Sequence, residues 1–362
     1  MKCIRCDHDS KYKERPNRRC PKCGGEFAFE PHSGDPCTDG LFQAAIHRVS
    51  SNGQLRFGVE NLYYELARRL KKKANAAGCF WILAVIGLVA GAVNFFKTRS
   101  NPGLALLFFG IALGLALLGW TWKPMRIGLE QEKFNQLWER WVKVHGQPDT
   151  AIRRAEPRGK PVKARAVEPD LGDYSFDRAV ICDRARTVDL LLANNFHFEN
   201  NCAVLSIGGY PEGPFQTVRA MLKRNPRLRV FALHDVTAVG CRLAYKLSTD
   251  PEWFQGMNNV TDVGLRPSQV QPFAGLFQPG EAVSPGHGLS PAEARWLAKY
   301  TLELAAIRPE QVLKRLFRAI NQKEKAQERE SRDEMWDTDF DFDHTSFSSE
   351  AGDTDGGGDS FG

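Results

Sequence analysis

Two stretches without a charged side chain, Ala74 to Phe96 and Ser100 to Trp122, constrain this chain more than anything else in it. Each is about 23 residues long, and a helix of that length spans about 30 Å of hydrocarbon with some tilt. The link between them, Lys97-Thr98-Arg99 and Asn101-Pro102-Gly103, leaves room only for a tight hairpin, so both flanks face one side. Arg68, Arg69, Lys71, Lys72 and Lys73 before the pair, with Lys123 and Arg126 after it, outnumber Lys97 and Arg99 in the turn. The positive-inside rule then puts both termini in the cytoplasm. Trp81, Trp120 and Trp122 sit where interfacial aromatics belong, and Gly87, Gly91, Gly110 and Gly114 permit close helix packing. The expectation is a multi-pass membrane protein whose two transmembrane helices occupy 74–122, with membrane lipid as a partner.

Ahead of the hairpin lie Cys3-x-x-Cys6 and Cys20-Pro-Lys-Cys23-Gly-Gly, two knuckle-like turns that offer four thiolates to one ion. The spacing predicts a structural zinc ribbon over 1–37, because thiolates bind zinc tightly and so short a segment buries too little apolar surface to fold unaided. His8 and His32 are alternative ligands. Four cysteines close the coordination sphere, so the ribbon is architectural or partner-binding. The other five of the nine cysteines are scattered singly, which fits a reducing compartment, and the polar, charged stretch Met1 to Arg19 shows no secretory signal.

Between ribbon and hairpin, 38–73 reads as a helical segment, Leu41 to Val49 and Val59 to Lys73 joined by the turn Ser50-Ser51-Asn52-Gly53. After the hairpin, 123–170 holds an amphipathic helix, Leu129 to Val144, and a linker with Pro148, Pro157, Pro161 and six bases. Such a strip suits an electrostatic tether to anionic lipid, with nucleic acid as the other partner. The formal charge of +6 is a sum of opposites, since from Asn321 onward four Lys/Arg face thirteen Asp/Glu. The acidic, Gly/Asp/Ser-rich tail 327–362 has the composition of a disordered segment.

From Tyr174 strands and helices alternate. Ala179–Cys182 reads as a buried strand and Ala203–Ile207, Arg229–Leu233 and Val260–Val263 as further strands, with helices at Thr187–Ala193, Phe215–Arg224 and Gly240–Leu247. That order predicts a parallel α/β sheet over 171–289, followed by helices over 290–326, the first opened by the capping box Ser290-Pro291-Ala292-Glu293 and running to about Ile307. The fold class is multi-domain: zinc ribbon, transmembrane α-hairpin, α/β domain.

In such sheets ligands gather at the carboxyl ends of the strands. Three ends are polar here: Asp183-Arg184, then Gly208-Gly209-Tyr210-Pro211-Glu212, then His234-Asp235-Val236-Thr237 with Gly240. An acid after strand one, Gly-Tyr-Pro-acid after strand two, an Asp-x-x motif after strand three and Gly264-Leu265-Arg266-Pro267-Ser268 together resemble the Toprim domain of the DNA-cleaving subunit of topoisomerase VI and its meiotic double-strand-break relatives, over about 174–270. The resemblance implies a magnesium site of one glutamate and an Asp-x-Asp pair, and a tyrosine on a preceding winged-helix domain that attacks the DNA phosphodiester. Val59-Glu60-Asn61-Leu62-Tyr63-Tyr64 is similar to the nucleophile helix, with Tyr64 at the attacking position and 38–73 as a winged-helix remnant. Interfacial aromatics are the other reading of Tyr63 and Tyr64.

The chain departs from that pattern at the ligands. Asp183 stands where the family has glutamate, Thr237 where the second aspartate of the pair belongs, and Glu60 where an arginine would meet phosphate. Asp183 and Asp235, with Tyr64, are the candidate catalytic residues; His234, Thr237, Gly209 and Glu212 are candidate ligand contacts. Two functions are expected in turn. One is a non-catalytic binding or scaffolding module for nucleic acid, a phosphorylated ligand or protein. The other is a magnesium-dependent phosphodiester-cleaving or phosphoryl-transfer enzyme.

Overall fold

The computed structural model of the chain describes residues 1–70, 83–92, 110–114, 127–153, 176–256 and 259–322. Residues 1–316 form one compact unit, to which the sheet and the helices packed on it belong.

The expected membrane hairpin is corrected by the structure. Among the described residues no helix is long and apolar enough to cross a membrane. Within 74–122 the described residues are 83–92 and 110–114, all of them helical. The rest of that segment, including Trp81, Trp120 and Trp122, lies outside the described residues. The two-helix transmembrane fold class and the multi-pass membrane localisation, both inferred from uncharged length, therefore fall.

Helix α1 is Asp39–Val49 and begins two residues before the expected Leu41, because Thr38 caps it, its side chain accepting from Leu41 N. Helix α2 is Val59–Arg69 and α3 is Gln131–His145. The apolar stripe of α3, Phe134, Leu137 and Trp141, is buried as its spacing predicts. Trp141 stacks on Phe42 of α1 and Phe29 of the cysteine-rich segment, with ring centroids 4.7 and 6.2 Å away.

The α/β part contains a four-stranded parallel sheet in the order β2-β1-β3-β4. Its strands are β1 Arg178–Cys182, β2 Cys202–Ser206, β3 Arg229–Leu233 and β4 Val260–Asp262. Every residue of β2 and β3 is buried, as their unbroken apolar runs require of a sheet covered on both faces. On one face Ala179, Ile181, Ala203, Leu205, Val230 and Ala232 pack against Phe215 and Leu222 of α6, Phe215–Arg224. The same cluster takes in Leu243 and Leu247 of α8, Leu243–Thr249, and the pair Trp253 and Phe254. On the other face α4, Ala185–Ala193, lies on β1 and β2, with the short α5, Phe196–Glu199, beside it. The expected helix over Gly240–Leu247 is two pieces, α7 Ala238–Cys241 and α8, meeting at Arg242.

After the sheet the chain departs from expectation once more. The helix opened by Ser290 is only α9, Pro291–Leu297, although its capping box forms as predicted. Instead of continuing to Ile307, the chain makes β6, Tyr300–Thr301, paired antiparallel with β5, Gln278–Pro279. Leu302 then bridges to Val236, and Leu304 is held by a side chain after β3. Tertiary partners for these backbone groups outweigh the helix propensity of the segment.

Candidate functional site

Two centres stand out. In the first, Cys3 Sγ and Cys23 Sγ lie 3.6 Å apart, Cys6 Sγ and Cys20 Sγ 3.7 Å apart, and all four within 4.8 Å of one another. A tetrahedron with metal–sulfur arms of about 2.3 Å has edges of about 3.8 Å, so the four sulfurs are spaced for one four-coordinate ion. Both knuckles fold alike: Asp7 N donates to Cys3 O and Gly24 N to Cys20 O, each at 2.9 Å. Asp7 and Gly24 take the left-handed conformation (φ 55° and 70°) that the turns require. The cluster contains neither His8 nor His32, and His32 instead stacks on Tyr12.

This segment is built into the fold. The buried Arg15 and Glu30 pair at 2.8 Å. Asp39, fully buried at the start of α1, accepts from Ala28 N and Phe29 N at 3.0 and 2.9 Å, and its Oδ2 lies 2.6 Å from His145 Nε2 on α3. Arg140 of α3 reaches Asp35 at 2.7 Å.

The second centre lies at the carboxyl ends of β1 and β3, where the strand order reverses and a crevice is expected. Asp183 and Asp235 leave these two strands side by side. Asp183 Oδ2 accepts from Asp235 N at 2.9 Å, so Asp183 holds the backbone of its neighbour. Asp235 is 1% exposed. Its Oδ2 accepts from Arg186 Nη2 at 3.0 Å and Arg184 Nε at 3.3 Å, and its Oδ1 accepts from Leu304 N at 2.7 Å. Arg186 also pairs with Glu303 at 3.0 Å. Burial opposes the charge on Arg186, but Asp235 and Glu303 prevail and hold its pKa above the usual arginine value. A guanidinium thus neutralises Asp235, where a cation would otherwise do so.

Asp183 differs sharply. Its Oδ1 is buried without a hydrogen-bond partner, and burial followed by the charge of Asp235 pushes its pKa up to about 7.

No family model, curated protein or solved structure matches this chain.

His234 is fully buried. Its Nδ1 lies 2.8 Å from Asp235 O and its Nε2 2.9 Å from Asp262 Oδ1. Both neighbours only accept, so both ring nitrogens carry protons and His234 is an imidazolium. Burial opposes that charge, but the hydrogen bond that His234 donates to Asp262 overcomes it and the pKa rises to about 10. Asp262 is in turn held by Arg266 at 2.7 Å and by Gly264 N at 3.0 Å; burial raises its pKa, yet His234 and Arg266 prevail and lower it. Thr237 caps α7, its hydroxyl accepting from Gly240 N at 3.0 Å. Gly209 turns the chain after β2 with φ 89°, and Glu212 is exposed. Among the described residues the four cysteines are the only close group of three or more potential metal ligands, and it includes none of Asp183, Asp235 and Glu212.

Tyr64 is fully buried, and its hydroxyl accepts from Gln278 Nε2 at 2.8 Å. Burial, then Glu303, drives its pKa upward. Tyr63 donates to Leu129 O at 2.8 Å, and its pKa rises to about 12 for the same reasons. The structure does bring α2 to the sheet end, since a cleft of about 600 Å³ is lined by Glu60, Tyr63, Glu130, Arg186, Gln278 and Glu303. A second cleft, of about 420 Å³, shares Glu60 and Arg186 and adds Arg153 and Asp189.

Arg186, Asp262, Glu303 and Arg266 are the parts that sequence reasoning missed as site residues. Asp262 ends β4 and was open to the strand-end argument that found Asp183 and Asp235. Glu303 and Leu304 arrive from a segment read as helix, and nothing local signals their place.

Proposed function

We propose that this chain is a non-catalytic binding or scaffolding module, with an α/β domain resembling the Toprim domain of the DNA-cleaving subunit of topoisomerase VI and a zinc ion in its four-cysteine ribbon. The observation that carries the reading is the closure of Asp235. Its two oxygens are taken by Arg184, Arg186 and Leu304 N, so the carboxylate a magnesium ion would need is already neutralised inside the protein. Three further features support it. Thr237 supplies a cap where a second metal carboxylate would be needed. Tyr64 is sealed in the core, where its hydroxyl can neither reach a phosphodiester nor ionise readily. The cleft beside the Arg186–Asp235 pair carries three acids, Glu60, Glu130 and Glu303, against one base, Arg186, a balance that disfavours a phosphate backbone.

Zinc suits the ribbon because four thiolates at these separations leave no room for a multi-iron cluster and no open position for water. The magnesium-dependent phosphodiester-cleaving or phosphoryl-transfer reading has one observation on its side, the unpartnered Oδ1 of Asp183. Titration of the zinc-loaded full chain with magnesium and manganese, followed by calorimetry and by thermal unfolding, separates the two. No saturable binding at millimolar metal is expected. Saturable binding that disappears in Asp183→Asn, accompanied by nucleic-acid cleavage, overturns the proposal.

A further inference from the structure

Several arginines of the unit are taken up internally. Arg15, Arg140, Arg184, Arg186 and Arg266 each pair with a carboxylate. The cysteine-rich segment keeps a different set free. Residues 1–27 carry eight Lys/Arg against four Asp/Glu. Of those bases Lys2, Arg5, Lys11, Lys13, Arg19 and Lys22 are exposed, and among the described residues none of their side chains forms an ion pair. Of the four acids, Asp9 is taken by the N-terminal ammonium at 2.7 Å, while a Glu14 oxygen accepts from Lys11 N at 2.9 Å. The two cysteine knuckles flank these bases, with Arg5 in the first and Lys22 in the second. Arg5 lies across Gly25 at the second knuckle, its Cδ 3.0 Å from where a Cβ would stand, so bases of both knuckles share that end of the segment.

Between Lys11 and Lys13 stands Tyr12, 46% exposed and stacked on the exposed His32 with ring centroids 4.1 Å apart and planes 5° from parallel. Tyr12 packs on His32 yet keeps nearly half its surface open between unpaired lysines, so the stacked pair offers a flat π-face. Unneutralised bases attract any polyanion, but a π-face rewards one that brings planar bases with it. Double-stranded nucleic acid hides those faces in its own stack. We infer that the ribbon is a docking surface for single-stranded nucleic acid, its lysines and arginines on the phosphates and Tyr12 under a base. This rests on the binding-module reading and gives that module its class of partner.

The test is fluorescence anisotropy of the zinc-loaded full chain with a short labelled oligodeoxythymidine, without magnesium, across a range of salt. Replacing both exposed lysines, Lys11→Ala with Lys13→Ala, is expected to weaken binding and to reduce the slope of log affinity against log salt by about 1.4, two phosphates at about 0.7 each. Tyr12→Ala is expected to weaken binding by about fivefold or more at unchanged slope, and Tyr12→Phe to restore it. The proposal is overturned if the chain does not bind the strand, or if Tyr12→Ala acts equally on a duplex of the same length. It is also overturned if the linker pair Arg158→Ala with Lys160→Ala abolishes binding while the ribbon variants do not. Displacement of the strand by an acidic peptide of equal charge at equal concentration assigns the surface to a protein partner and overturns it too. A magnesium site at Asp183 would defeat the non-catalytic reading and leave this result intact, so the two fail separately.

Discussion

If Arg186 does the neutralising that a metal ion would otherwise do, removing its charge should destabilise the protein through Asp235. The change to make is Arg186→Met, which keeps the apolar stem and deletes the guanidinium. Asp235 would stay buried, 1% exposed, with Leu304 N at 2.7 Å and only the half-exposed Arg184 at 3.3 Å for charge. Stripping a buried carboxylate of its partner costs about 3–5 kcal/mol. Because Arg184 remains and the Arg186 side chain is itself 23% exposed, the expected loss is nearer about 2–3 kcal/mol, or roughly 4–12 °C in midpoint for a unit of this size. The measurement is a double-mutant cycle by urea and thermal unfolding, with Asp235→Asn as the second change. Asparagine keeps an oxygen for Leu304 N and sheds the charge, so the double variant should recover at least about 1.5 kcal/mol relative to the sum of the single losses. A cost below about 0.5 kcal/mol for Arg186→Met, or strict additivity in the cycle, would show that the guanidinium does not stand in for a cation.

Three other outcomes are expected. A methyl at Gly264 would stand 2.3 Å from ring atoms of His234, which is fixed between Asp235 O and Asp262; Gly264→Ala should cost about 3 kcal/mol or more in urea unfolding, while Gly128→Ala, with open space around it, should cost about 1 kcal/mol or less. Asp183 has a folded-state pKa of about 7 against 3.8, so the folded protein binds the extra proton and this residue's contribution falls as pH rises from about 4 through 7. Asp183→Asn should therefore raise the unfolding midpoint at about pH 8 and change it little at about pH 5, and equal shifts at both would contradict the assignment. Chelation of the ribbon metal should release one zinc per chain, measured by elemental analysis, and melt the packing around Asp39. The near-ultraviolet signal of Trp141, stacked on Phe29 and Phe42, should fall with it, and a chain that keeps that signal without metal would refute the coupling.

Local grammar was legible in the residues alone. Unbroken apolar runs placed β1 to β3 within a residue or so, because a strand buried on both faces leaves that pattern whatever its neighbours are, while β4 is a half-buried Val-Thr-Asp. The four cysteines were legible because the metal geometry dictates their spacing, and the Ser290 box because a cap is made by residues three apart. Long-range packing settled the rest. Absence of charge marked 74–122 as apolar, yet whether a helix there is long enough to span a bilayer is a matter of conformation, and none among the described residues is. Whether Asp183 and Asp235 face a metal or a guanidinium depends on where Arg186 and Leu304 come to rest, and Leu304 reaches Asp235 from 69 residues away. Such contacts leave no periodicity to read, since they are set by how the chain closes on itself and not by its immediate neighbours.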